Sequence, residues 1–285
     1  MSSGIPAGYL RRLGVTGHGR PCAEGLFALQ RAHLERVAYD NIDIQLGRPP
    51  GIDPERSARR VATGGGGYCF HLNGAFALLL ESLGYAVTRH AGGVNADPGS
   101  RTVSGDHLAL TVRVGGAGYF VDTGLGDGPY EPLPLREGTY EQGRFRYTME
   151  RLEPLEGEGP GWTYRNPGGP MPRVNFRDAP AAMSDFAAMD TRLSTDAESP
   201  FVRTLALLRR DADGVDVLRG RVLSRIDPAK GTSERELAGQ EEFCAAVEGV
   251  FGRRLDDLTP ADRAALWAAA CRSHEAWLSR RAKGA

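Results

Sequence analysis

The stretch from Gly64 to Asn73, GGGGYCFHLN, runs directly into GAFALLLESLGY. Four consecutive glycines carry a heavy entropic cost inside any regular element, whereas the run that follows is rich in Ala, Leu and Phe and predicts a buried helix. The chain must leave its loosest backbone and enter that helix within a few residues, and Cys69 marks the junction. A helix that starts there presents amides without intrahelical acceptors, and the positive end of its dipole, to the sulfur. Both favour the charged form of a cysteine. Neighbouring glycines also allow close backbone approach, which suits an oxyanion site or a bulky thioester arriving at sulfur. A structural thiol buried after a turn is the alternative, and this stretch alone does not choose between them.

The remaining composition excludes several classes of function. Of 285 residues, 41% are hydrophobic and 25% charged, with 35 basic against 36 acidic side chains. Such a balance gives no global field toward nucleic acid or an anionic membrane, so neither partner is expected. The opening MSSGIPAGYLRRLG has no secretory-type apolar core, and no run reaches the roughly 18–20 apolar residues of a membrane span. A cytoplasmic protein is the expectation. Cys22, Cys69, Cys244 and Cys271 are scattered without a CxxC pair, so neither a disulfide framework nor a metal site is expected.

Texture changes twice along the chain. Residues 1–85 read as helical, with Leu26, Leu29, His33, Leu34 and Val37 at spacings of three and four. Residues 86–183 break into short runs, such as Leu108 to Val114 and Gly118 to Val121, separated by Gly, Pro, Asp and Asn; they predict an antiparallel sheet or barrel. Residues 184–285 mix a helical start near Phe201, a strand pair hinged at Asp213-Gly214, and helices from about Gly239 to Phe251 and from Pro260 to Arg280. The fold class is therefore α+β.

A cysteine needs a base before it is a nucleophile. Of the six histidines, His107 opens the apolar strand HLALTVRV, and the strand after it ends in YFVDTGLGDGP. If Gly115-Gly116 forms a two-residue hairpin turn, Asp122 lies opposite Ala109 and diagonal to His107 on the same face. Diagonal neighbours sit roughly 7–8 Å apart at the backbone, within reach of an imidazole and a carboxylate. Asp122 would then orient His107, and His107 would take the proton of Cys69. Taken singly, His107 also reads as a polar strand-end residue and Asp122 as a turn former.

The joint pattern resembles the arylamine N-acetyltransferase family. The family signature runs Arg-Gly-Gly-Tyr/Phe-Cys-x-x-x-Asn, then a strand-borne His, then Asp-Val-Gly-Phe-Gly. The counterparts here are Gly65-Gly66-Gly67-Tyr68-Cys69, Asn73, His107 and Asp122-Thr123-Gly124-Leu125-Gly126. YLRRLG near the amino terminus, HLERVAYDNID and the later SPFVRTLALLRR extend the likeness over most of the chain. The resemblance implies a helical bundle carrying Cys69, a β-barrel carrying His107 and Asp122, and an α/β lid. It also implies a ping-pong acyl transfer from acetyl-CoA, or another acyl-CoA co-substrate, through a Cys69 thioester to an aromatic amine or hydrazine, with no bound cofactor. On the same basis Gly124, Gly126 and Gly128 would receive the pantetheine arm, and Phe70, His71, Leu125, Tyr130 and Phe201 would face the acceptor, core packing being the alternative for the large apolar ones.

Four positions depart from the family pattern. Gly65 stands for the usual arginine, Asp40 for a glutamate, and His71 for a glutamate two residues after the cysteine; Leu125 also replaces the usual phenylalanine. Without an arginine at 65 the family's ion pair beneath the loop is lost, so the loop must be held some other way or be more mobile; fewer charged contacts are expected there, and His71 is expected to face the cleft, a surface or interdomain residue with no role being the alternative. The alternative function is an amide synthase of the same family, closing a macrolactam from a chain on an acyl carrier protein. A catalytically silent binding homologue is the reading from a different class.

Overall fold

The computed structural model describes residues 4–94, 97 and 99–284. Five helices come first, α1 (Ile5–Arg12), α2 (Ala23–Arg36), α3 (Ile42–Gln45), α4 (Pro54–Ala62) and α5 (Cys69–Ser82), with the two-residue strand β1 (Tyr39–Asp40) between α2 and α3. Local chemistry sets several starts: Asp53 accepts from the Arg56 amide and Pro54 occupies the first turn of α4. Helix α5 is buried nearly throughout, which is why its sequence is apolar all round rather than striped.

Eight strands follow: β2 (Ala86–Val94), β3 (His107–Val114), β4 (Ala117–Val121), β5 (Leu133–Pro134), β6 (Gly138–Gln142), β7 (Phe145–Leu152), β8 (Gly161–Arg165) and β9 (Arg173–Pro180). They form one antiparallel sheet in the order β5-β4-β3-β2-β9-β8-β7-β6, curled into a nearly closed barrel. Its interior is filled by rings, Phe120 lying 5.4 Å from Phe176 and 5.3 Å from Tyr164. Gly115 and Gly116, with φ of 59° and 81°, make the β3–β4 turn, as a hairpin with two left-handed residues requires.

The last part carries α6 (Ala187–Thr195), α7 (Pro200–Arg203), β10 (Ala206–Arg210), β11 (Val215–Arg219), β12 (Val222–Asp227), β13 (Gly231–Glu236), α8 (Gln240–Gly249) and α9 (Pro260–Gly284). The α+β class holds throughout. Two features differ from the sequence reading. The strand pair hinged near Gly214 is part of a five-stranded sheet, β1-β10-β11-β12-β13, and β13 is exposed at every position, so no alternation marks it. Its edge strand β1 comes from the region read as wholly helical, with Tyr39 opposite Leu208; two residues are too few to show a period. Among the described residues no helix is long and apolar enough to cross a membrane.

Candidate active site

Three elements converge on Cys69. The sulfur sits on the first residue of α5 and donates to the Asp106 carbonyl at 3.5 Å. His107 opens β3, and the β3–β4 register, Leu110 opposite Val121, carries on to put Asp122 opposite Ala109 and diagonal to His107. His107 Nε2 and Asp122 Oδ2 are 2.6 Å apart, with both side chains at most 1% exposed. The other ring nitrogen, Nδ1, is left for sulfur. Burial works against charge on the imidazole, but the Asp122 carboxylate, by charge and by hydrogen bond, and then the hydrogen-bonded Cys69 sulfur outweigh it and push the His107 pKa up to about 10. Asp122 is itself held, because its Oδ1 accepts from the amides of Gly124 and Leu125 at 2.8 and 3.0 Å.

Asn73, one turn beyond Cys69 on α5, locks the elements together. Its Nδ2 donates to the Leu108 carbonyl at 2.7 Å, and its Oδ1 accepts from the Thr123 amide at 2.8 Å and hydroxyl at 3.0 Å. One side chain thus joins the helix that begins at Cys69 to the strand after His107 and the loop after Asp122. The sequence reading quoted Asn73 within the signature but assigned it no role; its place four residues after the cysteine, on the same helix face, was the available signal. Gly124 is required by proximity: a Cβ there would lie 2.7 Å from Cys69 Cα.

A cavity of about 230 Å³ opens beside the sulfur. Gly124, Leu125 and Phe201 line it, together with Tyr39, Val94, Asp106, Met171, Leu193 and Pro200, which no local pattern marked. The other named residues lie elsewhere. Phe70 is fully buried in the core between Tyr68 and Phe186. Tyr130 donates its hydroxyl to Glu35 and faces the Arg210 guanidinium. Gly126 packs toward Leu208 and Tyr39, and Gly128 toward Leu125, without lining the cavity.

His71 is corrected most clearly. It faces away from the cleft into a separate small pocket with Asp43, Pro50 and Arg60, because two residues along a helix turn a side chain to another face. Its Nδ1 accepts from the Tyr68 amide at 3.3 Å, so it caps the helix it belongs to. Burial, assisted by Arg60, lowers its pKa to about 3 and keeps it neutral. The glycine run is also explained differently. A Cβ at Gly66 would lie 2.2 Å from Asp40 Oδ2 and 2.4 Å from the Ala38 carbonyl, so this glycine serves packing beneath the loop. The expected shortage of charged support is not found: Asp40 is ion-paired with Arg253 at 3.7 Å.

The N-acetyltransferase family profile matches residues 23–259. The arylamine N-acetyltransferase of Mycolicibacterium smegmatis is 30% identical over 264 residues, covering 90% of this chain and 94% of its own. Proansamycin X synthase of Amycolatopsis mediterranei is 31% identical over 150 residues, covering 51% of this chain and 58% of its own. Among solved structures, that of Mycobacterium marinum arylamine N-acetyltransferase in complex with CoA superposes with a TM-score of 0.82 at 27% identity, over 94% of this chain and 98% of that one.

Proposed function

Because this chain belongs to the arylamine N-acetyltransferase family, we propose that it moves an acyl group, acetyl in the first instance, from a coenzyme A thioester to Cys69 and then to an aromatic amine or hydrazine. The observation that carries this reading is His107, held by Asp122 on one nitrogen and hydrogen-bonded to Cys69. His107 first takes the Cys69 thiol proton, giving a thiolate and an imidazolium. The Cys69 sulfur attacks the thioester carbonyl, the amides at the start of α5 stabilise the oxyanion, and the carbon–sulfur bond to coenzyme A breaks. The departing thiolate takes the proton from His107. In the second half the amine nitrogen attacks the acyl-Cys69, its proton passes to the now neutral His107, and the bond to Cys69 breaks. The thiolate and imidazolium are then restored. Asp122 keeps Nε2 occupied, so that Nδ1 always faces the sulfur.

The cavity favours a small acceptor. At about 230 Å³ it is smaller than the roughly 300–1,000 Å³ typical of small-molecule pockets, and its walls at Leu125, Met171, Leu193 and Phe201 are apolar. One aromatic ring with its amine directed at Cys69 fits this description. The amide synthase reading, supported by the likeness to Proansamycin X synthase, needs a wider mouth and a carrier-protein donor. Intact-protein mass after incubation with acetyl-, propionyl- and malonyl-CoA separates the two. An acyl adduct on wild type that is absent from Cys69→Ser is expected; no adduct from any of the three transfers the assignment to a carrier-bound donor.

A further inference from the structure

The turn that delivers Cys69 rests on a buried carboxylate. The Asp40 amide donates to the Gly67 carbonyl at 2.9 Å, and Asp40 Oδ1 accepts from the Ile42 amide at 3.0 Å. Its other oxygen, Oδ2, lies directly under Gly66 and is buried without a hydrogen-bond donor among the described residues. A charge in that position requires a counter-charge. Arg253 supplies it from the distant segment between α8 and α9: its Nε is 3.7 Å from Asp40 Oδ2, and both side chains are 1% exposed. Three further contacts hold this segment in place. Arg253 Nη1 and Nη2 grip Asp257 at 3.0 and 2.9 Å. The Arg254 amide donates to the Gly64 carbonyl at 3.0 Å, and Arg12 of α1 donates to the Gly252 carbonyl at 2.6 Å.

We propose that Arg253 is a positioning residue for Cys69, holding the Gly64–Gly67 turn in register by neutralising Asp40 beneath it. The assignment rests on reading Cys69 as the nucleophile. The other charged or titratable groups around Asp40 are Tyr39 beside it in β1, Asp43 of α3, Arg60 of α4, and Tyr68 and His71 at the start of α5 across the small pocket, with Asp257 on the far side of Arg253. Arg60 is already paired with Asp43 and His71 is neutral, so neither replaces Arg253. Burial raises the Asp40 pKa, and Arg253 is the largest influence pulling it back down. Without Arg253 the carboxyl is expected to retain its proton to higher pH.

Two variants test the proposal, read by the rate of Cys69 alkylation with iodoacetamide and by its acylation with acetyl-CoA. Arg253→Met is expected to slow both at pH 8 by about tenfold, with the ratio to wild type returning toward one as pH falls and Asp40 takes up a proton. Asp40→Asn/Arg253→Met removes both charges and is expected to restore both rates to within about threefold and to flatten the pH dependence of that ratio. Alkylation needs no acyl donor, so a wild type that alkylates without acylating counts against the acyl-transfer reading alone. A folded Arg253→Met with wild-type alkylation across pH overturns the proposal. So does a double variant as impaired or as poorly folded as the single one, because Arg253 would then act by packing rather than by charge.

Discussion

His107 shows how burial and a partner charge compete within one side chain. Burial disfavours the imidazolium, and Asp122 more than compensates. The consequence for pH has a definite sign. A histidine whose folded pKa is raised contributes stability that is fully present below its unfolded value, about 6.5, and that is lost as pH rises through about 10. Asp122→Asn removes the principal raising influence and permits the wrong tautomer. It should leave a folded protein whose acylation of Cys69 is slower by orders of magnitude. Its stability deficit against wild type, measured by urea unfolding, should be larger at pH 7 than at pH 10.5; a deficit that is flat with pH would mean that His107 is uncharged in the fold. The four cysteines should differ in reactivity. Cys244 is pushed up by burial and Cys22 serves as the cap of α2, so substoichiometric iodoacetamide at neutral pH should label Cys69 first, as peptide mapping would show.

Between α5 and the loop after β4 the contact is so close that one atom decides the geometry. Gly124 faces Cys69 Cα and the Asn73 amide, with an added Cβ falling at 2.7 and 2.9 Å from them. Gly124→Ala must push the start of α5 away from His107. A loss of roughly 100-fold in acylation is expected for a displacement of about an ångström, with only about 1–3 kcal/mol of destabilisation from overpacking. Asn73→Ala should do the opposite, costing more in stability than its small volume suggests. It leaves the Leu108 carbonyl and the Thr123 amide without the partner they have in the buried core, a loss of about 2–4 kcal/mol. Thermal unfolding beside single-turnover acylation separates the two effects; equal losses of both in each variant would contradict this division.

At the scale of the whole molecule, the cavity is closed by parts that begin far apart. Asn41, just after β1, donates to the carbonyls of Phe201 and Thr204 at 2.8 and 2.7 Å and accepts from the Ala206 amide at 2.9 Å. Gln45 adds bonds to the carbonyls of Phe201 and Val202. These contacts seat α7, whose Pro200 and Phe201 wall the cavity. Asn41→Ala should loosen that wall, raising KM for the amine several-fold while leaving the acylation rate of Cys69 within about twofold, since Asn41 makes no hydrogen bond to Cys69, His107 or Asp122. An unchanged KM in a folded variant would show that the wall is held by apolar packing alone.

Much of the protein was legible because it obeys short-range rules. A glycine run next to an apolar segment marks a turn into a buried helix, and Gly115-Gly116 between alternating strands sets a register in which Asp122 must fall diagonal to His107. Resemblance added the order Cys69, His107, Asp122 as a set. What stayed hidden depends on segments remote in the chain. His71 looked like a cleft residue until the helix was placed, whereupon its face turned to Asp43 and Arg60. Position 65 offers no arginine to Asp40, and the cation beside it, Arg253, comes from a segment remote in the chain. Val94, Met171 and Leu193 carry no local mark of the cavity they share. Hydrophobic period and turn chemistry act over a few residues, so sequence alone determined the buried helix after the glycine run and the hairpin geometry of the site. The partner of a buried charge and the walls of a cavity depend on which distant elements pack together, and that only the tertiary structure decided.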